Sequence, residues 1–254
     1  TVFHVNADNG YDAFSLDNTR RTLSDTPGQD RHEATAFAVE SNWQASDSVE
    51  LKTLVSFADN NLEYGYDEDW AFPDICTGEP CEGWEYNSVD NYIRDRENAT
   101  VDIKLVSTEN GKILNNSTDW VAGVYWRDQD EQLLRQYTYA DGDFTSDFAT
   151  SNQAVYGQLD TQLSDALTLT SGLRFEQRSA DYIDSDAVAH DVDESLWGGR
   201  IALNYQLTDQ TMVYGLISRG YKAGGVNSDP SLSAEDREFD TEIMWNLETG
   251  AKGL

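Results

Sequence analysis

The feature that most constrains this chain is a two-residue periodicity that recurs in segments of about ten residues. It is clearest in residues 153–178, QAVYGQLDTQLSDALTLTSGLRFEQR. Successive side chains of a β-strand point to opposite sides, so each arm of this stretch places its apolar residues on one face. Ser164, Asp165 and Ala166 between the arms have typical turn chemistry. The stretch therefore predicts a β-hairpin.

The connections between such segments alternate between long and short. Further periodic segments lie at residues 34–43, 49–58, 99–106, 119–127, 195–207, 211–219 and 241–252. Short turns at 46–48, 108–117, 164–166 and 208–210 alternate with long polar stretches at 59–93, 128–151, 179–194 and 220–240. A bacterial outer-membrane barrel has short turns at one end and long loops at the other, whereas a sandwich has no reason to alternate. The pattern predicts an all-β, antiparallel transmembrane barrel with about nine or ten strands.

The distribution of charge supports the same interpretation. The predominantly apolar faces of the strands after Ser48 are almost free of charge. A charged side chain facing lipid at mid-depth costs roughly 2 to 4 kcal/mol, so we expect the charges of the opposite face to line a wet lumen. These predicted lumen-facing residues are Glu50, Lys52, Asp102, Lys104, Arg174, Glu176, Arg200, Glu242, Glu248 and Lys252. Hydration or mutual pairing is their expected role, with contact to another domain as the alternative.

Composition excludes some functions. The chain has 47 acidic and 17 basic residues and a net charge of -30, which argues against nucleic acid because phosphate binding needs a basic face. The sequence contains no run of eighteen apolar residues, so it predicts no membrane-spanning helix. No nucleophile elbow, phosphate-binding loop, dinucleotide fingerprint or paired metal motif occurs, so we predict no enzyme, no cofactor and no metal site. The start at Thr1 suggests a processed protein or, as we favour, a fragment.

Two segments near the C-terminus are specific enough to identify a family. YGLISRGYKAGGVN from Tyr214 and FDTEIMWNLETGAKG from Phe239 resemble the barrel domain of TonB-dependent receptors. The hairpin described above and DWVAGVYW from Asp119 resemble the same family's recurrent strands. The resemblance implies an outer-membrane transporter of Gram-negative bacteria that takes up a ferric siderophore, cobalamin, haem or a glycan, energised by the TonB complex.

Against that family, the chain lacks the expected plug domain, TonB box and closing C-terminal strand. We therefore expect residues 1–254 to be part of a barrel of 22 strands, in contact with outer-membrane lipid and reaching the TonB complex through the missing plug. The competing hypothesis from another class is a soluble acidic β-sandwich that binds carbohydrate through its aromatic side chains.

Residues 59–93 carry ten acidic residues and no Lys or Arg. We predict an extracellular loop closed by a disulfide between Cys76 and Cys81, with two free thiols as the alternative. Zinc would need two further ligands. Trp70 and Trp84 are candidate ligand contacts of this loop. Its charge favours a neutral or cationic ligand, or a contact bridged by calcium.

Other aromatic and basic residues have two possible roles. Lys222, beside two glycines, is a candidate ligand contact, and the alternative is a loop that needs glycine's backbone freedom. We expect four tryptophans at the membrane interface rather than against ligand. They are Trp43, Trp126, Trp197 and Trp245.

Overall fold

The structure, a computed structural model, describes residues 1–10, 24–69, 87–229 and 232–253. Its strands are β1 Val2–Asp8, β2 Gln29–Gln44, β3 Val49–Asp67, β4 Val89–Ser107, β5 Thr118–Tyr137, β6 Phe144–Ser164, β7 Leu167–Asp184, β8 Ala189–Thr208, β9 Thr211–Lys222, β10 Gly225–Val226, β11 Glu238–Phe239 and β12 Glu242–Gly253. A 3-10 turn, Glu109–Gly111, lies between β4 and β5, and a short helix α1, Ala234–Arg237, precedes β11. Within these residues no helix is long and apolar enough to cross a membrane.

Ten of the strands form one antiparallel sheet in the order β1-β2-β3-β4-β5-β6-β7-β8-β9-β12. Each strand pairs with its neighbour in sequence, and the short β10 and β11 form a separate ribbon between β9 and β12. This meander is a partial barrel wall that does not close on itself, which confirms the predicted fold. A β-sandwich needs two packed sheets, so the alternative of a soluble sandwich is wrong.

The register divides the sheet into two faces. The face that carries Lys52 and Tyr156 is called the polar face. In the register, Lys52 pairs with Lys104 and Tyr156 pairs with Arg174. The apolar face is the other, with pairs such as Leu51 and Leu105. Because side chains alternate along each strand, these registers fix the face of every residue in the ladders.

The polar face is the concave one. Every buried apolar side chain of the described residues lies on it, namely Ala34, Leu133, Phe144, Ala154, Ala180, Tyr182 and Leu196. The large exposed side chains of the apolar face include Trp245, 62% exposed, and Leu247, 78% exposed. In a single curved layer, neighbours crowd the inside and separate on the outside, so burial on one face gives the direction of curvature. The apolar face is therefore the convex outer surface.

The strands are longer than the sequence pattern predicts. Residues 59–67 and 89–93 belong to β3 and β4, and most of 128–151 and 179–194 also forms strand. The predicted long loops there are wrong in their bounds: β5 and β6 are joined by residues 138–143, and β7 and β8 by 185–188. A strand of 19 residues tilted by about 45° rises roughly 44 Å, well above an apolar band of about 25 Å. The upper halves extend beyond lipid, where an apolar outer face is not required.

Candidate functional site

The outer face changes character along each strand. On β3 the outward residues are uncharged up to Phe57, and Asp59 and Glu63 follow. The same change occurs on neighbouring strands, and the acidic residues above it form a belt. Its members are Glu33, Asp59, Glu63, Asp95, Glu97, Asp128, Asp130, Asp147, Asp181, Asp191 and Asp193. Eleven of the 47 acidic residues of the chain therefore lie on the outer wall above the apolar band, facing away from the concave side.

The concave polar face carries a network at mid-height, which we call the mid-wall network. The Tyr156 hydroxyl donates to Asp102 at 2.6 Å, and Lys104 lies 3.4 Å from the same carboxylate. Arg174 donates through Nε to Glu176 at 2.9 Å. Each carboxylate also accepts from another strand: Asp102 on β4 from Tyr156 on β6, and Glu176 on β7 from the Tyr221 hydroxyl on β9.

Further contacts complete the mid-wall network. The Arg174 guanidinium lies 4.8 Å from the ring centroid of Tyr125, and Arg200 donates to Gln158 at 2.7 Å. A groove of about 590 Å³ runs along this wall, lined by residues of the network. A wall of alternating cations, carboxylates and phenols can hydrate a pathway and donate or accept hydrogen bonds to a polar solute.

A second group, the rim cluster, lies on the polar face beyond the apolar band. Arg135 donates to Asp90 through two nitrogens, at 2.9 and 2.8 Å, and Tyr92 donates to the same carboxylate at 2.9 Å. The guanidinium also lies over the rings of Tyr92 and Tyr137, 5.3 and 5.2 Å from their centroids. Burial and the hydrogen bond to Asp90 raise the pKa of Tyr92 to about 12, so its hydroxyl stays protonated well above neutral pH.

A third group fastens the loop after β9 to the turn between β7 and β8. Arg237, at the end of α1, lies 2.6 Å from Asp184 and 3.0 Å from Asp186. The Tyr182 hydroxyl donates to Asp184 at 2.9 Å, and the side chains of Arg237 and Asp184 are buried. The described residues of this loop, 223–229 and 232–241, are therefore anchored over the upper edge of the polar face.

The predicted lumen-facing residues all share the polar face in the register of the sheet. Most pair locally: Lys52 with Glu50 at 3.4 Å, and Glu248 with the Tyr214 hydroxyl at 2.6 Å. Lys252 lies 5.5 Å from the centroid of the Tyr214 ring. The structure thus brings the ten together on one wall, but in several separate pairs rather than in one pocket.

Other predicted site residues have different outcomes. Lys222 lies 3.3 Å from Glu242, and both side chains are 70% exposed. The predicted disulfide of Cys76 and Cys81, and the ligand candidates Trp70 and Trp84, lie outside the described residues. Among the residues that the structure does describe, no group of three or more His, Cys, Asp or Glu side chains is arranged to hold a metal ion.

Sequence reasoning missed both the rim cluster and the Arg237 anchor. Asp90 and Arg135 are 45 residues apart, and Asp184 and Arg237 are 53 apart, so no local motif joins them. The contact of Tyr221 was also unexpected. The register places Tyr221 on the apolar face, but its hydroxyl donates to Glu176 on the polar face at 3.0 Å. The ladder between β8 and β9 ends at Gly199 and Arg219, which leaves the Tyr221 ring free to cross over Gly198.

A two-faced meander of this kind defines a class, the transmembrane β-barrels, and comparison with known proteins gives the family. The family described as TonB dependent receptor-like, beta-barrel, matches residues 2–254. The chain belongs to this family, which confirms the resemblance found in its strand segments.

Individual relatives agree with this assignment. The pesticin receptor of Yersinia enterocolitica is 28% identical over 148 residues, 54% of this chain and 22% of that receptor. The structure of the ferric yersiniabactin uptake receptor FyuA from Yersinia pestis has a TM-score of 0.68 at 16% identity, covering 90% of this chain and 34% of that one. BauA, the ferric preacinetobactin receptor from Acinetobacter baumannii, has a TM-score of 0.61 at 16% identity, covering 88% and 35%. The chain spans about a fifth of the length of the pesticin receptors that it matches.

Proposed function

We propose that this chain forms part of the barrel of a Gram-negative outer-membrane receptor that imports a ferric siderophore or a similar nutrient. The observation that carries the proposal is the division of a TonB-dependent receptor sheet into an apolar convex face and a concave face of paired charges and phenols. The convex face suits lipid, and the concave face suits a water-filled pathway. In this proposal the ten predicted residues line the lumen.

The ligand class is inferred from relatives. FyuA is a ferric yersiniabactin uptake receptor, and BauA is the ferric preacinetobactin receptor. The rim cluster offers a guanidinium flanked by phenols. The phenol rings can stack on an aromatic chelator, and the guanidinium can bind its oxygens. Energy would reach the barrel from the TonB complex through a plug domain outside this chain. Cobalamin, haem and glycans are the alternative ligands in this proposal.

Uptake in living cells tests the proposal. A strain that lacks the gene is complemented with the full-length receptor and given ferric yersiniabactin, ferric preacinetobactin or ferric citrate carrying radioactive iron. We expect at least one chelate to accumulate in complemented cells, and its accumulation to stop in a host without TonB. Equal accumulation with and without the receptor, for all three probes, would contradict the ferric siderophore assignment.

The orientation of the wall has its own test. Thr168 and Leu169 are adjacent on β7, and the register places them on opposite faces. In a receptor with Cys76 and Cys81 replaced by serine, single cysteines at these two positions are labelled with a membrane-impermeant maleimide. We expect labelling through the lumen at position 168 and protection by lipid at position 169. The reverse pattern would show that the faces are exchanged.

A further inference from the structure

We infer that the apolar face binds one phosphorylated glycolipid of the outer leaflet, with its phosphate on Arg219 and an acyl chain in the neighbouring notch. The inference rests on the proposed outer-membrane location. It starts from the charge of this face: of the lysines and arginines in the described sheet, Arg31 and Arg219 alone lie on the apolar side. Arg31 stands in the acidic belt and pairs with Asp8 and Glu63 at 3.6 and 3.3 Å. Arg219 has no such partner among the described carboxylates.

Arg219 lies at the upper edge of the apolar band. Its guanidinium lies 4.0 Å from the ring centroid of Trp197, and it pairs in register with Trp245 on β12. The two indoles meet edge to face at 6.2 Å, and both are well exposed on the convex side. One guanidinium nitrogen donates to the carbonyl of Trp197, which leaves most of its five N–H groups free.

A charge in this position needs a partner. An arginine that faces lipid is costly at mid-depth and tolerable near the headgroups. The planar guanidinium binds phosphate with two parallel hydrogen bonds, and stacking on Trp197 orients it for that contact. The carboxylates of the same face lie above the band and repel phosphate, so they limit an anionic headgroup to the height of Arg219.

The adjacent surface fits the rest of a lipid. A notch of about 610 Å³ opens on the apolar face, and its apolar lining includes Val124, Trp126, Val155 and Phe175. Phe175 pairs in register with Trp197, which places the notch beside the stacked arginine. Its volume and apolar lining suit a section of acyl chain.

The upper border of the notch is polar. Gln153 and Gln177 pair in register there, and the Ser195 hydroxyl donates to Gln177 at 2.7 Å. Amides and a hydroxyl at this level can bind the sugar hydroxyls of a glycolipid, whereas a lipid without sugars would leave them to water. The charge of Arg219, its depth and the shape of the notch therefore all fit a phosphorylated glycolipid.

Binding is measured on the full-length receptor, purified in neutral detergent and freed of native lipid, by native mass spectrometry with added lipid A. Wild-type receptor should bind lipid A about tenfold or more tightly than dephosphorylated lipid A, since a charge-assisted hydrogen bond contributes roughly 1.5 kcal/mol or more. Arg219→Gln should lose this preference, and Arg219→Lys should retain part of it. Arg31→Gln is the matched control on the same face and should bind as wild type.

Three results would overturn the inference: equal binding of the two lipids by wild type, unchanged lipid A binding by Arg219→Gln, or an equal preference for a phospholipid. The first comparison uses wild-type receptor and so does not depend on the folding of any variant. If iron uptake and barrel assembly are intact while lipid selectivity is absent, only this inference fails. Failure of assembly and uptake in wild type would instead contradict the proposed function.

Discussion

The phenol ring of Tyr156 on β6 occupies the space directly above Gly123, its register partner on β5. A Cβ atom at position 123 would lie 2.5 Å from Cζ of Tyr156, and the hydroxyl beyond it donates to Asp102 on β4. The same arrangement recurs where Tyr214 covers Gly250, with a Cβ position 2.7 Å from the ring. In both cases a glycine in one strand accepts an aromatic ring from the next, which covers bare backbone. The Tyr156 hydroxyl reaches one strand further, to Asp102, and so links three strands.

The first prediction is that Gly123→Ala destabilises the barrel. The added methyl group must displace a ring fixed by its hydrogen bond to Asp102, and such overpacking costs about 1–3 kcal/mol. Gly215→Ala is the matched control, because its Cβ position meets no atom within 4 Å. Urea unfolding of the receptor in lipid vesicles measures both. Equal stability of the two variants would contradict the packing argument.

The second prediction concerns the face of each strand. Leu169→Arg and Leu51→Arg should reduce the amount of assembled receptor in the outer membrane, because each places a charge against lipid, at a cost that reaches about 2–4 kcal/mol at mid-depth. Thr168→Arg and Lys52→Leu change the neighbouring positions on the polar face and should be tolerated. Receptor is quantified in outer-membrane fractions by its heat-modifiable mobility. Similar levels for all four variants would refute the face assignment.

The part of the fold that lipid dictates could be predicted from sequence. Leu51 and Lys52 alternate because one must face hydrocarbon and the other water, and this period of two marks the lower half of each strand. Above the band, the outward face of β3 is polar at Asp59, like the face that carries Lys52. The continuation of β3 to Asp67 therefore shows no alternation of apolar and polar residues. Contacts such as Asp90 with Arg135 depend on the register between strands, which single-segment patterns do not contain.

The third prediction is an alkaline loss of the stabilising contribution of Tyr92. Its pKa is raised from 10.0 to about 12 by burial and by the bond to Asp90, so the folded state holds this proton more tightly than the unfolded state. The contribution is complete below about pH 10 and is lost as the pH rises through about 12. Tyr92→Phe removes the titrating group. The stability difference between wild type and this variant, from urea unfolding, should shrink across that interval, and a constant difference would contradict the linkage.

The fourth prediction is that Arg237 holds the described part of the loop after β9, residues 223–229 and 232–241, over the β7–β8 turn. Its side chain and that of Asp184 are 3% and 0% exposed, and removal of one partner of a buried ion pair costs about 3–5 kcal/mol because the other charge stays buried. Arg237→Ala should therefore free this loop, seen as faster hydrogen exchange and proteolysis in residues 223–229 and 232–241. Lys222→Ala is the control within the same region, since its pair with Glu242 is 70% exposed on both sides and contributes little. If Arg237→Ala and Lys222→Ala leave the loop equally protected, the anchor is not what holds it in place.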